Sequence, residues 1–178
     1  MIFPSQRKCM FLHFGQPLSL DIECLGDKLV EQLVDRNLVH EAADLFGLTV
    51  EQLAGLERMG EKSAVSVVTE LQRTKQAELH RFIFALGIRH VGETTAKDLA
   101  KHFGSMDVLM AASEDELLAV RDVGPIVAAS IEHFFANAKN RTAVERLLAC
   151  GFEFAPVVQS VRANAAIAGK TFVLTGTL

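Results

Sequence analysis

The chain has 178 residues, 49% of them hydrophobic, which excludes intrinsic disorder and is enough for one or two domains with a true core. Its formal net charge of −4 excludes a globally basic nucleic-acid binder, so any contact with DNA must come from a local patch or from backbone groups. Residues 81–102 offer such a basic patch, because four cations (Arg81, Arg89, Lys97 and Lys101) against two carboxylates (Glu93 and Asp98) give a local charge of +2. No apolar run approaches the roughly 20 residues of a membrane span, and no signal peptide pattern opens the chain, so we expect a cytoplasmic protein without a membrane partner.

Cysteine and histidine spacing gives no support for a metal site or a disulfide framework. The three cysteines, Cys9, Cys24 and Cys150, are odd in number and far apart, without a paired CxxC spacing. The six histidines show no metal-ligand spacing. We therefore predict no metal ligands in this chain.

Helical patterns follow one another from the first residues to about residue 151. Apolar spacing predicts helices over 7–14, 26–37, 40–46, 61–75, 76–86, 93–103, 106–112, 113–120, 125–135 and 141–150. Capping boxes begin at Thr49 and at Ser113, 64 residues apart, and Pro125 lies at a first helical position. The segment 76–86 is rich in large apolar side chains, so we expect it to pack two halves of the chain together.

The pattern changes after residue 152. Residues 153–168 lose the helical period and contain Pro156 with small and polar residues, which is typical of a linker. Thr171 to Thr175 is β-branched and aromatic, which predicts a strand. Because a single strand cannot form a domain, we expect this chain to be a fragment of a longer protein.

A repeat organises the helical region around Gly26, Gly60, Gly92 and Gly124. The residues four before, one before, four after and seven after each glycine are apolar in every copy, and the glycines are 34, 32 and 32 residues apart. Each copy is typical of a hairpin that runs into a helix. Glycine at the hinge permits positive φ and leaves backbone N–H groups uncovered at a helix N-terminus, where a phosphate would bind.

We predict DNA contacts at these hairpins. Lys28 and Lys62 lie two residues after their glycines, where a side chain can reach a bound phosphate, and Thr94 supplies a hydroxyl in the third copy. The fourth copy has Ile126 there, so that hairpin binds weakly or serves packing only. The predicted DNA-binding residues are Gly26, Lys28, Gly60, Lys62, Arg89, His90, Gly92, Thr94 and Gly124. The alternatives, plain turn glycines and merely solvated Arg89 and His90, stay open.

Five segments carry a resemblance to a known family. FALGIRHVGE (84–93), LERMGEKSA (56–64) and HFGS (102–105) resemble the helix-hairpin-helix domain of bacterial NAD-dependent DNA ligase. PSQRK (4–8) is similar to the segment after the ligase zinc finger, and GKTFVLTGTL (169–178) to the first strand of the BRCT domain. The family hairpin commonly has two glycines around one apolar residue. Here the first of these positions holds Cys24, Arg58, His90 and Asp122.

The resemblance implies an all-α fold of tandem helix-hairpin-helix repeats, with four hairpins arranged as two pseudo-symmetric pairs. It divides the chain into an N-terminal connector after a missing zinc finger (1–19), the four-hairpin domain (20–152), a linker (153–168) and the truncated start of a BRCT domain (169–178).

It also implies a function. The fragment would bind duplex DNA at a nick, as a monomer and without sequence specificity, in a bacterial ligase that seals nicks in replication and repair near the nucleoid. The parent enzyme would use NAD, Mg and Zn. The K-x-D-G motif of the family's adenylation lysine is absent, so the fragment should be inactive alone and hold no cofactor. The alternatives are the helix-hairpin-helix module of another DNA repair protein, and a helical protein–protein interaction module, which the acidic charge favours.

Overall fold

A computed structural model describes residues 4–155. The last residues of the predicted linker (156–168) and the predicted strand (171–175) lie outside the described residues. The described helices are α1 (Pro4–Gly15), α2 (Asp27–Asp35), a 3₁₀ helix (Ala42–Gly47), α3 (Val50–Ala54), α4 (Glu61–Thr74), α5 (Leu79–Ala85), α6 (Glu93–Phe103), α7 (Met106–Met110), α8 (Glu114–Leu118), α9 (Pro125–Ala136) and α10 (Ala138–Ala149). Residues 4–155 contain no strand, and the fold is all-α, as predicted.

The two halves repeat the same series of elements. The 3₁₀ helix, α3 and α4 begin 64 residues before α7, α8 and α9 respectively. Both predicted capping boxes are present: the Thr49 and Ser113 side chains accept from the backbone N–H groups of Gln52 and Glu116. The 64-residue period of the sequence is therefore a repeat of helices and caps.

Several helix boundaries differ from the prediction for local reasons. The segment 76–86 becomes helical only at Leu79, because Glu78 is extended (φ −66°, ψ 145°). The helix predicted over 40–46 is a 3₁₀ helix that starts at Ala42, after a capping box between Glu41 and Asp44. The last helix starts at Ala138 rather than 141, because the Asn137 side chain accepts from the backbone N–H of Lys139 at 3.0 Å.

The repeated apolar positions form the core. Of the residues at the four apolar positions of each hairpin, only Met59 is half-buried, and the others are buried. The buried set is Ile22, Leu25, Val30, Leu33, Leu56, Ala64, Val67, Ile88, Val91, Ala96, Leu99, Val120, Val123, Ala128 and Ile131. All belong to one continuous cluster, so the two halves share a single core.

Helix α5 packs the two halves together, as predicted. The His13 Nε2 atom of α1 lies 3.0 Å from the carbonyl oxygen of Phe84 in α5, and α5 also packs along α6. The fully buried Phe82 ring lies 4.9 Å from the Phe152 ring and 5.0 Å from the Phe154 ring, measured between centroids. Ordered packing thus extends to Phe154, which is within the segment assigned to the linker.

Helix α10 makes a second connection between the halves. The Arg146 guanidinium bonds the Glu41 carboxylate at 2.6 Å and the Asp44 carboxylate at 3.3 Å, reaching the 3₁₀ helix of the first half. Since all three side chains are partly exposed, water screens these ion pairs, and each contributes little to stability.

Candidate nucleic-acid interface

Each hairpin is closed by the same backbone hydrogen bond. The N–H of the residue before the hinge glycine donates to the carbonyl of the residue four before that glycine. The donor–acceptor pairs are Leu25–Ile22 (3.0 Å), Met59–Leu56 (3.3 Å), Val91–Ile88 (3.1 Å) and Val123–Val120 (3.2 Å). Because both residues of each pair are apolar and mostly buried, the core holds the ends of the turn and leaves its tip in solvent.

The left-handed residue of the turn lies two positions before the glycine, not at the glycine. Arg58, His90 and Asp122 have φ of 60°, 65° and 59°, whereas Cys24 is not in this region. The hinge glycines have φ between −80° and −92° and extended backbones. The prediction of positive φ at the hinge is therefore wrong, because the hinge residue is the N-cap of a helix, a position with β-region dihedrals.

Nothing within the described chain requires glycine at the four hinges. A Cβ built on Gly26, Gly60, Gly92 or Gly124 meets no atom within 4 Å, and their dihedrals are open to any residue. None of the four helices has a side-chain cap at its N-terminus. The missing side chains thus leave the N–H groups in the first turn of α2, α4 and α6, and those that follow Pro125 in α9, open to an anion from solvent.

The predicted basic residues of the first three hairpins lie on the surface. Lys28, Lys62, Arg89 and His90 are exposed, as is Thr94. No carboxylate of the described residues forms an ion pair with the Lys28, Lys62 or Arg89 side chains. Each of these hairpins therefore combines an open helix N-terminus with at least one exposed polar or cationic side chain that can reach a phosphate.

Acidic residues begin three of the four helices. Asp27, Glu61 and Glu93 each occupy the first helical position, where a carboxylate is favourable for the helix dipole but repels a phosphate. In α6 this repulsion is reduced, because the Lys97 ammonium bonds the Glu93 carboxylate at 2.5 Å. That hydrogen bond also lowers the pKa of Glu93.

The fourth hairpin differs from the other three. Its helix starts at Pro125, which has no backbone N–H to donate. Ile126 follows and is 71% exposed, at the position of Lys28 and Lys62 in the first pair. Asp122 at the turn tip lies 3.6 Å from Arg121. The fourth hairpin thus offers fewer donors to an anion than the others.

The basic patch predicted over 81–102 is smaller in the structure. The Arg81 guanidinium donates to the carbonyl oxygens of Pro17 (2.9 Å) and Ser19 (3.4 Å), so it ties the loop after α1 to α5. Lys97 is paired with Glu93. Arg89 and Lys101 are therefore the cations of this segment that stay exposed without an ion pair among the described residues.

A residue that the sequence analysis missed holds the second hairpin. The Gln32 side chain accepts from the N–H of Glu57 at 2.7 Å and donates to the carbonyl of the same residue at 3.2 Å. The Arg36 Nη1 atom donates to the carbonyl of Gly55 at 2.9 Å. These contacts join residues 19 to 25 positions apart, and no local sequence pattern predicts them.

Candidate metal clusters, disulfides and membrane-spanning helices do not occur in the part of the chain that the structure describes. Residues 4–155 contain no group of three or more His, Cys, Asp and Glu side chains that could hold a metal ion. Their cysteines are free thiols. No helix among them has the length and hydropathy to cross a membrane.

Two family models match the chain, one in each half. Residues 18–73 match a SAM-like helix-hairpin-helix tandem, and residues 81–144 match a helix-hairpin-helix motif. The first match contains Gly26 and Gly60, and the second contains Gly92 and Gly124. The chain therefore carries helix-hairpin-helix motifs in tandem, and such motifs are generally DNA-binding modules without sequence specificity.

Proposed function

We propose that this chain, with tandem helix-hairpin-helix motifs in both halves, grips nicked duplex DNA through its phosphates as the non-catalytic DNA-binding domain of a bacterial NAD-dependent DNA ligase. The observation that carries the DNA-binding part is the set of four helix N-termini that begin at an open glycine without a side-chain cap. Phosphate contacts carry no sequence information, so the binding is the same for any base sequence.

Backbone dipoles supply much of the attraction in this proposal, because the chain is acidic overall. One helix N-terminus stabilises an anion by about 0.3–1 kcal/mol at an exposed site, which is too weak for binding alone. Hairpins held by one shared core reach several phosphates of one duplex together, and the later contacts form at a high effective concentration. The Lys28, Lys62 and Arg89 side chains add charge.

The ligase assignment rests on the resemblance of residues 84–93, 56–64 and 102–105 to the family. In this proposal, other domains of the parent enzyme bind NAD, Mg and Zn and supply the adenylation lysine, whereas this domain holds the duplex around the nick. The parent acts as a monomer in the bacterial cytoplasm.

The test is fluorescence anisotropy of a labelled nicked duplex titrated with the 178-residue chain at about 50 mM and about 200 mM salt. The logarithm of the observed binding constant should fall linearly with the logarithm of the salt concentration, with a slope of about −0.9 for each phosphate neutralised. Gly92→Ala should weaken binding, since its methyl group fits the fold but obstructs the open amides. Gly47→Ala is the matched control, because Gly47 is also exposed with no atom within 4 Å of a Cβ and lies outside the hairpins.

Equal binding by Gly92→Ala and Gly47→Ala would contradict phosphate contact at the third hairpin. No binding by a folded chain at low salt would favour the alternative, a helical protein–protein interaction module, which the net charge of −4 supports. The ligase assignment is tested separately by exchanging the corresponding domain of a bacterial NAD-dependent ligase for residues 4–155. If the chimera binds DNA but seals no nicks, the module belongs to a different DNA repair protein.

A further inference from the structure

Hairpin 2, defined here as residues 56–60, is tied to helix α2 through side-chain hydrogen bonds. The Gln32 side chain makes two hydrogen bonds to the backbone of Glu57. Its Oε1 atom accepts from the Glu57 N–H at 2.7 Å, and its Nε2 atom donates to the Glu57 carbonyl oxygen at 3.2 Å. One turn further along α2, Arg36 bonds the Gly55 carbonyl at 2.9 Å. Because Glu57 directly precedes the left-handed Arg58, these bonds fix the chain where it enters the turn.

Both bonds to Glu57 require a side chain that accepts and donates at the same time, as the Gln32 amide does. A carboxylate accepts from the N–H but has no donor for the carbonyl, and an apolar side chain makes neither bond. The pair of bonds therefore restrains both the distance and the rotation of the hairpin relative to α2. The N-terminus of α2 is itself Gly26, the hinge of the first hairpin.

The second half lacks this connection. Gln32 lies six residues after Gly26, and the residue six after Gly92 is Asp98. The residue that corresponds to Glu57, three before the hinge glycine, is Arg121, whose guanidinium pairs with Asp122. Among the described residues, Asp98 forms no hydrogen bond or ion pair with Arg121. This side-chain connection is thus present in the first half, and the corresponding described residues of the second half do not form it.

We propose that Gln32 is a positioning residue for DNA binding, which locks the second hairpin on α2 so that Gly26 and Gly60 meet phosphates of the same duplex together. This inference rests on the proposed function. Gln32 acts through the geometry of the second hairpin and makes no contact with DNA itself. Without the lock, the second hairpin spends part of its time in orientations that cannot reach its phosphate, and the avidity of the pair falls.

The test is a double-mutant cycle on the full 178-residue chain, read by anisotropy with the nicked duplex. Gln32→Leu removes both bonds and keeps the side-chain size, and it should weaken binding roughly tenfold, as expected from one lost tethered contact. In a Gly60→Ala background the same change should have little further effect, because the contact that Gln32 positions is already lost. In a Gly92→Ala background it should again weaken binding roughly tenfold.

Two controls separate positioning from general structural damage. Gln72→Leu makes the same chemical change at an exposed position of α4 and should leave binding unaltered. The slope of the logarithm of the binding constant against the logarithm of the salt concentration should be as shallow for Gln32→Leu as for Gly60→Ala. A uniform loss of folded protein does not change this slope. Thermal unfolding of each variant verifies that the chain is folded in the assay.

The outcomes distinguish this inference from the proposed function. If Gly60→Ala binds like the unmodified chain, the phosphate contact of the second hairpin is wrong, and the role of Gln32 fails with it. If Gly60→Ala weakens binding but Gln32→Leu does not, the positioning role alone is wrong. If Gln32→Leu weakens binding equally in both glycine backgrounds, Gln32 has a general structural role and the inference is overturned.

Discussion

The left-handed residue at the tip of three of the four turns provides a stability test of the hairpin geometry. Arg58, with φ of 60°, is a long side chain in a backbone region that disfavours any Cβ. Changing Arg58 to glycine relieves strain of roughly 1–2 kcal/mol. Glycine also increases the entropy of the unfolded chain, which costs roughly 0.5–1 kcal/mol. We therefore expect Arg58→Gly to stabilise the protein by roughly 0.5–1 kcal/mol.

The first hairpin supplies the matched control. Cys24 occupies the same position but is not in the left-handed region, so Cys24→Gly relieves no strain and also loses the packing of a half-buried side chain. It should destabilise the protein by at least about 0.5–1 kcal/mol. Asp122→Gly should give a smaller gain than Arg58→Gly, because aspartate tolerates the left-handed region better than most residues.

The assay is thermal unfolding followed by circular dichroism. For a chain of this size, 1 kcal/mol shifts Tm by about 2–4 °C, so Arg58→Gly and Cys24→Gly should move Tm in opposite directions by a measurable amount. Chemical denaturation gives the same free-energy difference independently. A fall in Tm for Arg58→Gly as large as that for Cys24→Gly would refute the assignment of strain to the turn tip.

Three further changes test the core, a cap and a half-buried histidine. Phe82→Ala should lower the free energy of unfolding by about 3–5 kcal/mol in urea denaturation, because Phe82 is fully buried; a loss below about 1 kcal/mol would contradict its place in the shared core. Ser113→Ala should cost about 1 kcal/mol by the same measurement, since it removes the acceptor for the Glu116 N–H; no loss would mean that the cap is dispensable. Burial lowers the pKa of His80, an effect that Glu78 partly opposes, so the unfolded chain takes up the proton first as pH falls below about 6.5, and stability falls there. His80→Gln should reduce the fall in Tm between about pH 7.5 and pH 5.5, and an unaltered pH profile would show that His80 is not its source.

The hinge glycines illustrate how a sequence feature and its structural reason can differ. Their spacing locates all four helix starts, but the reason first given for them, positive φ, is wrong. The strained dihedral belongs to the residue two positions earlier, in three of the four copies. Glycine is present at the hinge although neither the backbone nor the packing of the described residues requires it. Access to the helix N-terminus from outside the protein is the explanation that we propose and test with Gly92→Ala.

Local chemistry explains what the sequence by itself determined. The helices starting at Gly26, Gly60, Gly92 and Gly124, their buried faces and both capping boxes follow from residues within two helical turns of one another. Helical periodicity and capping involve only residues within that range, so both can be recognised in a single sequence. The all-α class and the two-fold repetition of elements follow from the same patterns.

Tertiary packing decided which polar side chains are available to a ligand. Arg81 appeared in the sequence as part of a basic patch, but its guanidinium is bonded to the carbonyls of Pro17 and Ser19, more than 60 residues earlier in the chain. Gln32 appeared as an ordinary helix residue, but its amide holds Glu57. Such bonds depend on how the helices cross and on the rotamers that their packing allows, and neither is encoded within the few residues around each side chain.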